Sequence, residues 1–195
     1  KEDCQKEAEK LIRSKMKKGY VEDENFNFMD RLYIDSEEYG LHPKTSHPRF
    51  SEHFNDEIYY SDGDEDTPFG SDEGNDTLKY IFEAVRKDPN FDYSDFPRKL
   101  IEQDWDMEYI PVDTLDADEV GRMAADKEMY MIQSDMVTYA TAFAQIKITG
   151  VISSELKERG IKAIKRLALI YGTPWNENEI QRKMVEDLQS FSFII

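Results

Sequence analysis

The sequence predicts a mainly α-helical fold, with a few short strands or extended segments in the first third, so that an α+β class stays open. Three observations carry this. Apolar residues recur at helical spacing in successive stretches of the last two thirds. Those stretches open on Asp, Asn or Ser and close on Gly or Pro. The 195 residues are 39% hydrophobic and 12% aromatic, enough to bury a core, although 34% charged exceeds the usual quarter.

In chain order, residues 2–18 place Cys4, Ala8, Leu11 and Ile12 on one helical face, with Gly19 as the stop and Lys15, Lys17 and Lys18 at the negative end of the helix dipole. In residues 21–60, Phe26 and Phe28 alternate with polar residues, and Ile58 and Tyr60 repeat the pattern, which suggests short strands or extended loops. Between them, two His-Pro steps disfavour helix before Pro43 and Pro48. Leu78, Ile81, Phe82 and Val85 form one face of a helix expected over 77–87, with Asn75 or Asp76 as its N-cap. A short helix is expected to follow Pro97, capped by Asp95 and carrying Leu100 and Ile101, and residues 105–113 read as an extended connection. Asp116 and Glu119 have capping-box spacing ahead of Val120, Met123 and Ala124. Helix continues from Thr138 to Ile148 through Ala140, Ala142, Ala144 and Ile146 until Gly150. Ser153 opens the next helix, striped by Leu156, Ile164, Leu167, Ala168 and Tyr171, and Gly172 and Pro174 end it. Asn176 is the expected cap of a last helix bearing Ile180, Met184 and Leu188, followed by an apolar tail. No internal repeat is present.

Charge is distributed unevenly. The formal net charge is −17. Residues 1–20 carry +3, residues 22–76 carry −14, residues 77–152 carry −7 and residues 153–189 carry +1. Such a surface opposes phosphate backbones, whose binding rests on Lys and Arg displacing counterions, and it opposes anionic membranes. A basic protein or a cation is its natural complement; solubility alone is the plainer purpose. Beyond residues 1–20, Lys157, Arg159, Lys162, Lys165 and Arg166 are the one basic stretch, and interleaving with Glu155 and Glu158 makes them a solvated helix face. Cys4 is the only cysteine, which fits a reducing cytoplasm. No apolar run reaches the length of a membrane span.

Residues 62–76, DGDEDTPFGSDEGND, hold seven acidic side chains and three glycines. Asp62, Asp64, Asp66 and Glu73 fall at positions 1, 3, 5 and 12 of a calcium loop. Position 6, where such a loop turns on glycine, is Thr67, position 7 is Pro68, and no amphipathic helix leads in. A helix start explains more. Asn75 or Asp76 caps it, and Asp72 and Glu73 lie near the positive end of its dipole. Gly70 and Gly74 permit a tight backbone, with positive φ considered for Gly70, and Phe69 anchors the loop in the core. On this reading the first half of the stretch is a solvated loop.

Catalytic motifs are absent: there is no phosphate-cradling Gly-rich loop, no HExxH, no CxxC and no GxSxG. His42, His47 and His53 are spaced five and six apart, unlike a helical ligand pair, and read as caps of the turns around Pro43 and Pro48. Trp105 and Trp175 read as core anchors. No enzyme activity and no cofactor is expected.

Two stretches carry a resemblance. EAEKLIRSKMKKGYVE resembles the closing helix of the WGR domain, through Ala8, Leu11, Ile12, Lys15, Gly19 and Tyr20. HPRFSEHFNDEIYYSDGDEDTPFGSDEGNDTL resembles the segment after WGR in bacterial proteins of the YfeS type and in MolR-like relatives labelled molybdate metabolism regulators. The matching positions are His47, Pro48, Phe50, Asp56, Pro68, Phe69, Gly70, Ser71, Asp72, Glu73, Gly74 and Asp76. AFAQIKITGVISSELKERGIKAI is similar to the end of those proteins. The resemblance implies that residues 1–20 are the terminal helix of a truncated WGR domain, since the Trp-Gly-Arg motif does not occur, and that residues 21–195 are a YfeS-type C-terminal domain. It implies a regulatory role linked to nucleic acid, with any nucleic-acid contact made by a missing N-terminal part. The residues themselves, acidic and without catalytic motifs, read as a cytoplasmic, non-enzymatic binding domain with a protein as partner. Two other classes are an acidic inhibitor of the immunity type that masks a basic partner, and a metal-dependent hydrolase using the histidines and aspartates. The sequence leaves the oligomeric state open.

Overall fold

The computed structural model describes residues 10, 12, 14–18, 32–88 and 90–195. The chain divides into two compact units, Lys1–Arg31 and Leu32–Ile195. In the first, Lys10, Ile12, Ser14, Lys15 and Met16 are helical, as the spacing predicts. The expectations placed on Cys4, Ala8, Leu11, Gly19, Tyr20, Phe26 and Phe28 lie outside the described residues.

The second unit is mainly α. A 3-10 turn at Pro43–Thr45 leads into α1 (Pro48–His53), and a second 3-10 turn spans Glu57–Tyr60. α2 follows (Asp72–Lys87), then α3 (Phe96–Lys99) running into a π-turn at Leu100–Asp104. The long α4 (Ala117–Thr149), α5 (Ser154–Tyr171) and α6 (Glu179–Ser190) complete it. The β pairing among the described residues is confined to two isolated bridges, Ser36 with Gly40 and Ile152 with Ile194. The extended segment expected at Ile58 and Tyr60 is instead the 3-10 turn. Asp56 accepts from the Ile58 N–H, and the chain turns so that Tyr59 is buried among Phe50, Phe54 and Phe143. Among the described residues no helix is long and apolar enough to cross a membrane.

The second half of α4 is the axis of the core. Every residue from Val137 to Ile148 is buried, and α2 and α5 pack against it. Its C-terminal carbonyls have no intrahelical partner and find one elsewhere: Lys147 accepts from the His47 N–H at 2.8 Å and Ile148 from the Tyr33 N–H at 3.0 Å. Gly150 (φ 73°) closes α4 in the left-handed region, and a side chain there would collide with the buried His47 ring at 2.3 Å.

Most helix ends fall where the caps predict. Asp116 accepts from Glu119 N–H at 2.9 Å and Ser153 from Leu156 N–H at 3.2 Å. Two differ. Asn178, not Asn176, caps α6, because Pro174 first makes a turn of its own, with Glu177 N–H on its carbonyl. Asp95 makes no cap hydrogen bond; its carboxylate pairs with Lys99 at 3.2 Å. The helix after it widens into the π-turn, and Leu100 and Ile101 both bury. α4 also contains a break: Lys127 (φ −134°, ψ 24°) is not helical.

Among the described residues, two ion pairs engage a fully buried cation. Arg166 is fully buried, and its Nε and Nη2 reach both oxygens of the buried Asp135 at 2.9–3.2 Å. It also donates to the carbonyls of Pro111 at 2.6 Å and Ile110 at 2.8 Å, so one guanidinium joins α4, α5 and the extended connection. Lys147, also fully buried, pairs with Asp35 at 2.6 Å and donates to the Thr45 carbonyl.

Candidate functional site

The acidic stretch builds the most distinctive surface of the molecule. Asp64 organises its first half. Its Oδ1 accepts from Asp66 N–H, while its carbonyl takes both the Thr67 N–H and the Thr67 hydroxyl at 3.0 and 2.7 Å. Thr67, Pro68 and Phe69 are buried, so the loop is pinned from beneath by the anchor that Phe69 predicts. Gly70 has no positive φ, contrary to the reading considered for it. It is needed for close approach, because a Cβ there would lie 2.0 Å from the Asp64 carbonyl oxygen.

α2 starts five residues before the expected 77. Ser71 is the N-cap, accepting from Gly74 N–H at 3.0 Å, and Asn75 N–H already bonds the Ser71 carbonyl. Asn75 and Asp76 are therefore inside the helix, and Asp76 faces solvent beside Lys79 at 3.5 Å. A glycine in a first turn argues against helix on propensity alone. Here Gly74 lies against the Pro68 carbonyl, where a Cβ would sit at 2.6 Å, and tertiary packing overrides propensity. Asp72 and Glu73 occupy the first turn, where their charge meets the positive end of the dipole.

The four residues at calcium-loop spacing are not gathered into a ligand set. Asp64 spends an oxygen on Asp66 N–H and Glu73 stands on α2. Among the described residues no three His, Cys, Asp or Glu side chains converge as a metal site. What the stretch does build is a face. Asp62, Asp64, Glu65, Asp66, Asp72 and Asp76 are exposed. Tyr171, at the end of α5, lies in their field: burial and the charges of Asp66, Glu73, Glu128 and Glu65 push its hydroxyl pKa up. A cleft of about 370 Å³ opens on the same side, lined by Asp72, Glu73, Asp76, Trp105, Met107 and Gln133. Among the described residues no Lys or Arg lies within ion-pair distance of Asp62, Asp64, Glu65, Asp66, Asp72 or Glu73.

The histidines are structural, and two cap turns as their spacing beside proline predicts. His42 Nδ1 accepts from Lys44 N–H and His47 Nδ1 from Arg49 N–H. Burial first, and then the charge of Arg49, push the His47 pKa down. His53 is closer to a chemical arrangement, with Nε2 3.3 Å from the Ser190 hydroxyl. That nitrogen also lies 2.8 Å from the Asp187 carbonyl oxygen. A carbonyl only accepts, so Nε2 carries the proton and has no lone pair to take one from Ser190. Ser190 in turn donates to the Glu186 carbonyl at 2.9 Å. Trp105 and Trp175 both pack on the core, as anchors do.

The basic stretch is not the solvated face it was expected to be. Lys157 donates to the carbonyls of Gln189 and Phe191 at the end of α6. Arg159 reaches the Ser94 carbonyl, and Lys165 sits over the Trp175 ring at 4.7 Å. The predicted interleaving survives where Lys162 pairs with Glu158 at 2.7 Å and Arg159 lies 3.9 Å from Glu155. The charges on α5 tie the helix to its neighbours. Sequence reasoning missed both buried ion pairs. Their signal is a charged residue inside an apolar stripe: Arg166 sits beside Leu167 and Ala168, and Lys147 between Ile146 and Ile148.

No family profile matches the chain, and no solved structure matches it. It is similar to a protein of Escherichia coli (strain K12) that carries the name "Uncharacterized protein YfeS", 50% identical over 194 residues, which cover 97% of this chain and 80% of that protein. With half of all aligned positions identical over nearly the whole length, this chain belongs to the YfeS family.

Proposed function

We propose that the chain acts by binding and not by catalysis, presenting the acidic face of residues 62–76 to a basic protein. The observation that supports this reading is the set of exposed carboxylates around Tyr171 and the Trp105 cleft, held in place by a buried Thr67-Pro68-Phe69 anchor and, apart from Asp76 beside Lys79, without ion-pair partners among the described residues. A rigid, unneutralised patch attracts an oppositely charged partner and sets its approach more than it adds raw affinity. Tyr171, Trp105 and Met107 supply apolar contact area beside the charge, and aromatic residues are enriched where partners bind tightly. The likeness of residues 1–20 to the closing helix of a WGR domain, and of the following segment to MolR-like regulators, supports a regulatory role. In that role nucleic-acid contact belongs to a WGR domain and not to residues 21–195. An immunity-type inhibitor that masks a basic partner rests on the same face, and the identity of the partner separates the two.

The test is affinity capture from an Escherichia coli lysate on the immobilised chain at low and moderate salt, against the variant Asp62→Asn/Glu65→Gln/Asp66→Asn. The reading expects a discrete basic protein that the variant and the higher salt both release. Identical captures on both chains would refute it. A captured nuclease that the chain inhibits would select the inhibitor reading.

A further inference from the structure

We propose that the first ten residues of α4, Ala117–Asp126, form a hinged arm that opens as one unit about Lys127 while the rest of the domain stays closed. Four observations converge on it. The backbone of Lys127 leaves the helical region within an otherwise continuous helix, and a break of this kind has a local cause and marks where a helix bends. Burial changes across it: from Val137 to Ile148 every residue is buried, whereas in 117–126 Val120 alone is. Val120 does not join the main core. It packs with Ile110 and Met131 in a small separate cluster, with Met123, Ala124, Tyr130, Leu169 and Ile170 around it. Finally, the arm is not closely packed on its inner side, where a cleft of about 420 Å³ is lined by Ile110, Glu119, Arg122, Met123, Asp126 and Lys127.

The attachments of the arm are correspondingly few. Val120 fills the small cluster, and at the hinge Lys127 pairs with Glu108 at 2.5 Å, an exposed ion pair of the kind that contributes little. The connection that carries Glu108 is fixed, because the Ile110 and Pro111 carbonyls are held by Arg166. Opening therefore swings the arm away from a stationary connection and widens the cleft between them. Segments with few buried apolar contacts open at lower free energy than the core, and they do so in contiguous units.

Hydrogen exchange on the full chain, read residue by residue, tests this. Amides of Gly121–Asp126 are expected to share one protection level, about 100-fold or more below that of Val137–Lys147, with a step at Lys127. Ordinary fraying gives instead a gradient rising inward from Ala117, and that gradient would overturn the proposal. So would protection of the arm equal to that of Val137–Lys147. Val120→Ala, which removes the one fully buried anchor, is expected to speed every arm amide by a common factor of about ten and leave Val137–Lys147 unchanged. A change that reaches both segments equally means the arm opens only with the whole domain, and the hinge is then wrong.

Discussion

The acidic face and the buried ion pairs use the same side chains in opposite ways. In residues 62–76 carboxylates stand in water with almost no ion-pair partner among the described residues, on a loop whose apolar residues are anchored below. Inside the domain, Asp135 meets Arg166 and Asp35 meets Lys147, and Arg166 also donates to the Ile110 and Pro111 carbonyls. A charge removed from water is costly unless paired and hydrogen-bonded, whereas one left in water costs little and stays available. The lesson is that position and pairing, not residue type, separate the charges that hold this fold from those free to meet a partner. Substitutions in the two regions should therefore differ in kind: inside they change stability, outside they change binding.

The largest effect is expected at the buried pair. Asp135→Ala leaves a guanidinium buried without its counter-charge and should cost about 3–5 kcal/mol, read as the shift of a denaturant midpoint at unchanged slope. Asp135→Leu/Arg166→Met should recover only part of that loss, because it leaves the Ile110 and Pro111 carbonyls unpaired. Burial pushes the Asp135 carboxyl up to about 7, against the opposing pull of Arg166. A carboxyl raised on folding contributes most below its unfolded value and loses that contribution as pH climbs through the folded one. The wild type's margin over Asp135→Asn should accordingly be greater at about pH 4.5 than at about pH 8.

Next in size is the underside of the acidic loop. Gly70→Val drives a side chain into the Asp64 carbonyl and should cost about 1–3 kcal/mol in thermal melts, as overpacking does. Ser71→Ala removes the α2 cap and should cost about 1 kcal/mol. Asp76→Ala, one helical turn further on and exposed, should stay within about 0.5 kcal/mol. That contrast within six residues sharpens the comparison, since equal effects at Ser71 and Asp76 would return the helix start to where the sequence suggested it. The smallest effect is expected on the outer surface. Asp62→Asn/Glu65→Gln/Asp66→Asn should leave the melting curve nearly unchanged, each position contributing under about 0.5 kcal/mol.

Much of this was legible in the sequence, for identifiable reasons. Asp116, Ser153, Gly150 and Gly172 mark helix ends by side-chain chemistry or backbone conformation that acts locally, and all four hold. His42 and His47 were readable as caps because each precedes a proline that sets the turn. The start of α2 was not, because what permits Gly74 in a first turn is contact with Pro68 across the loop. Nor were the partners of Lys157, Arg159 and Arg166, because those partners are carbonyls and a carboxylate distant in sequence. Local chemistry was readable; the uses of charge depended on the fold.

The most direct test of the central claim measures binding of a labelled, Arg/Lys-rich peptide by fluorescence anisotropy at low and moderate salt. Three chains are compared: wild type, the face variant Asp62→Asn/Glu65→Gln/Asp66→Asn, and a charge-matched control, Glu102→Gln/Asp113→Asn/Glu177→Gln, whose exposed acids lie elsewhere in the sequence. If residues 62–76 form the recognition face, the face variant weakens binding by about tenfold or more, the control stays within about threefold of wild type, and the difference shrinks as salt screens the field. Equal weakening in the two variants would mean that the peptide senses only net charge, and the claim that this face is the binding site would be contradicted.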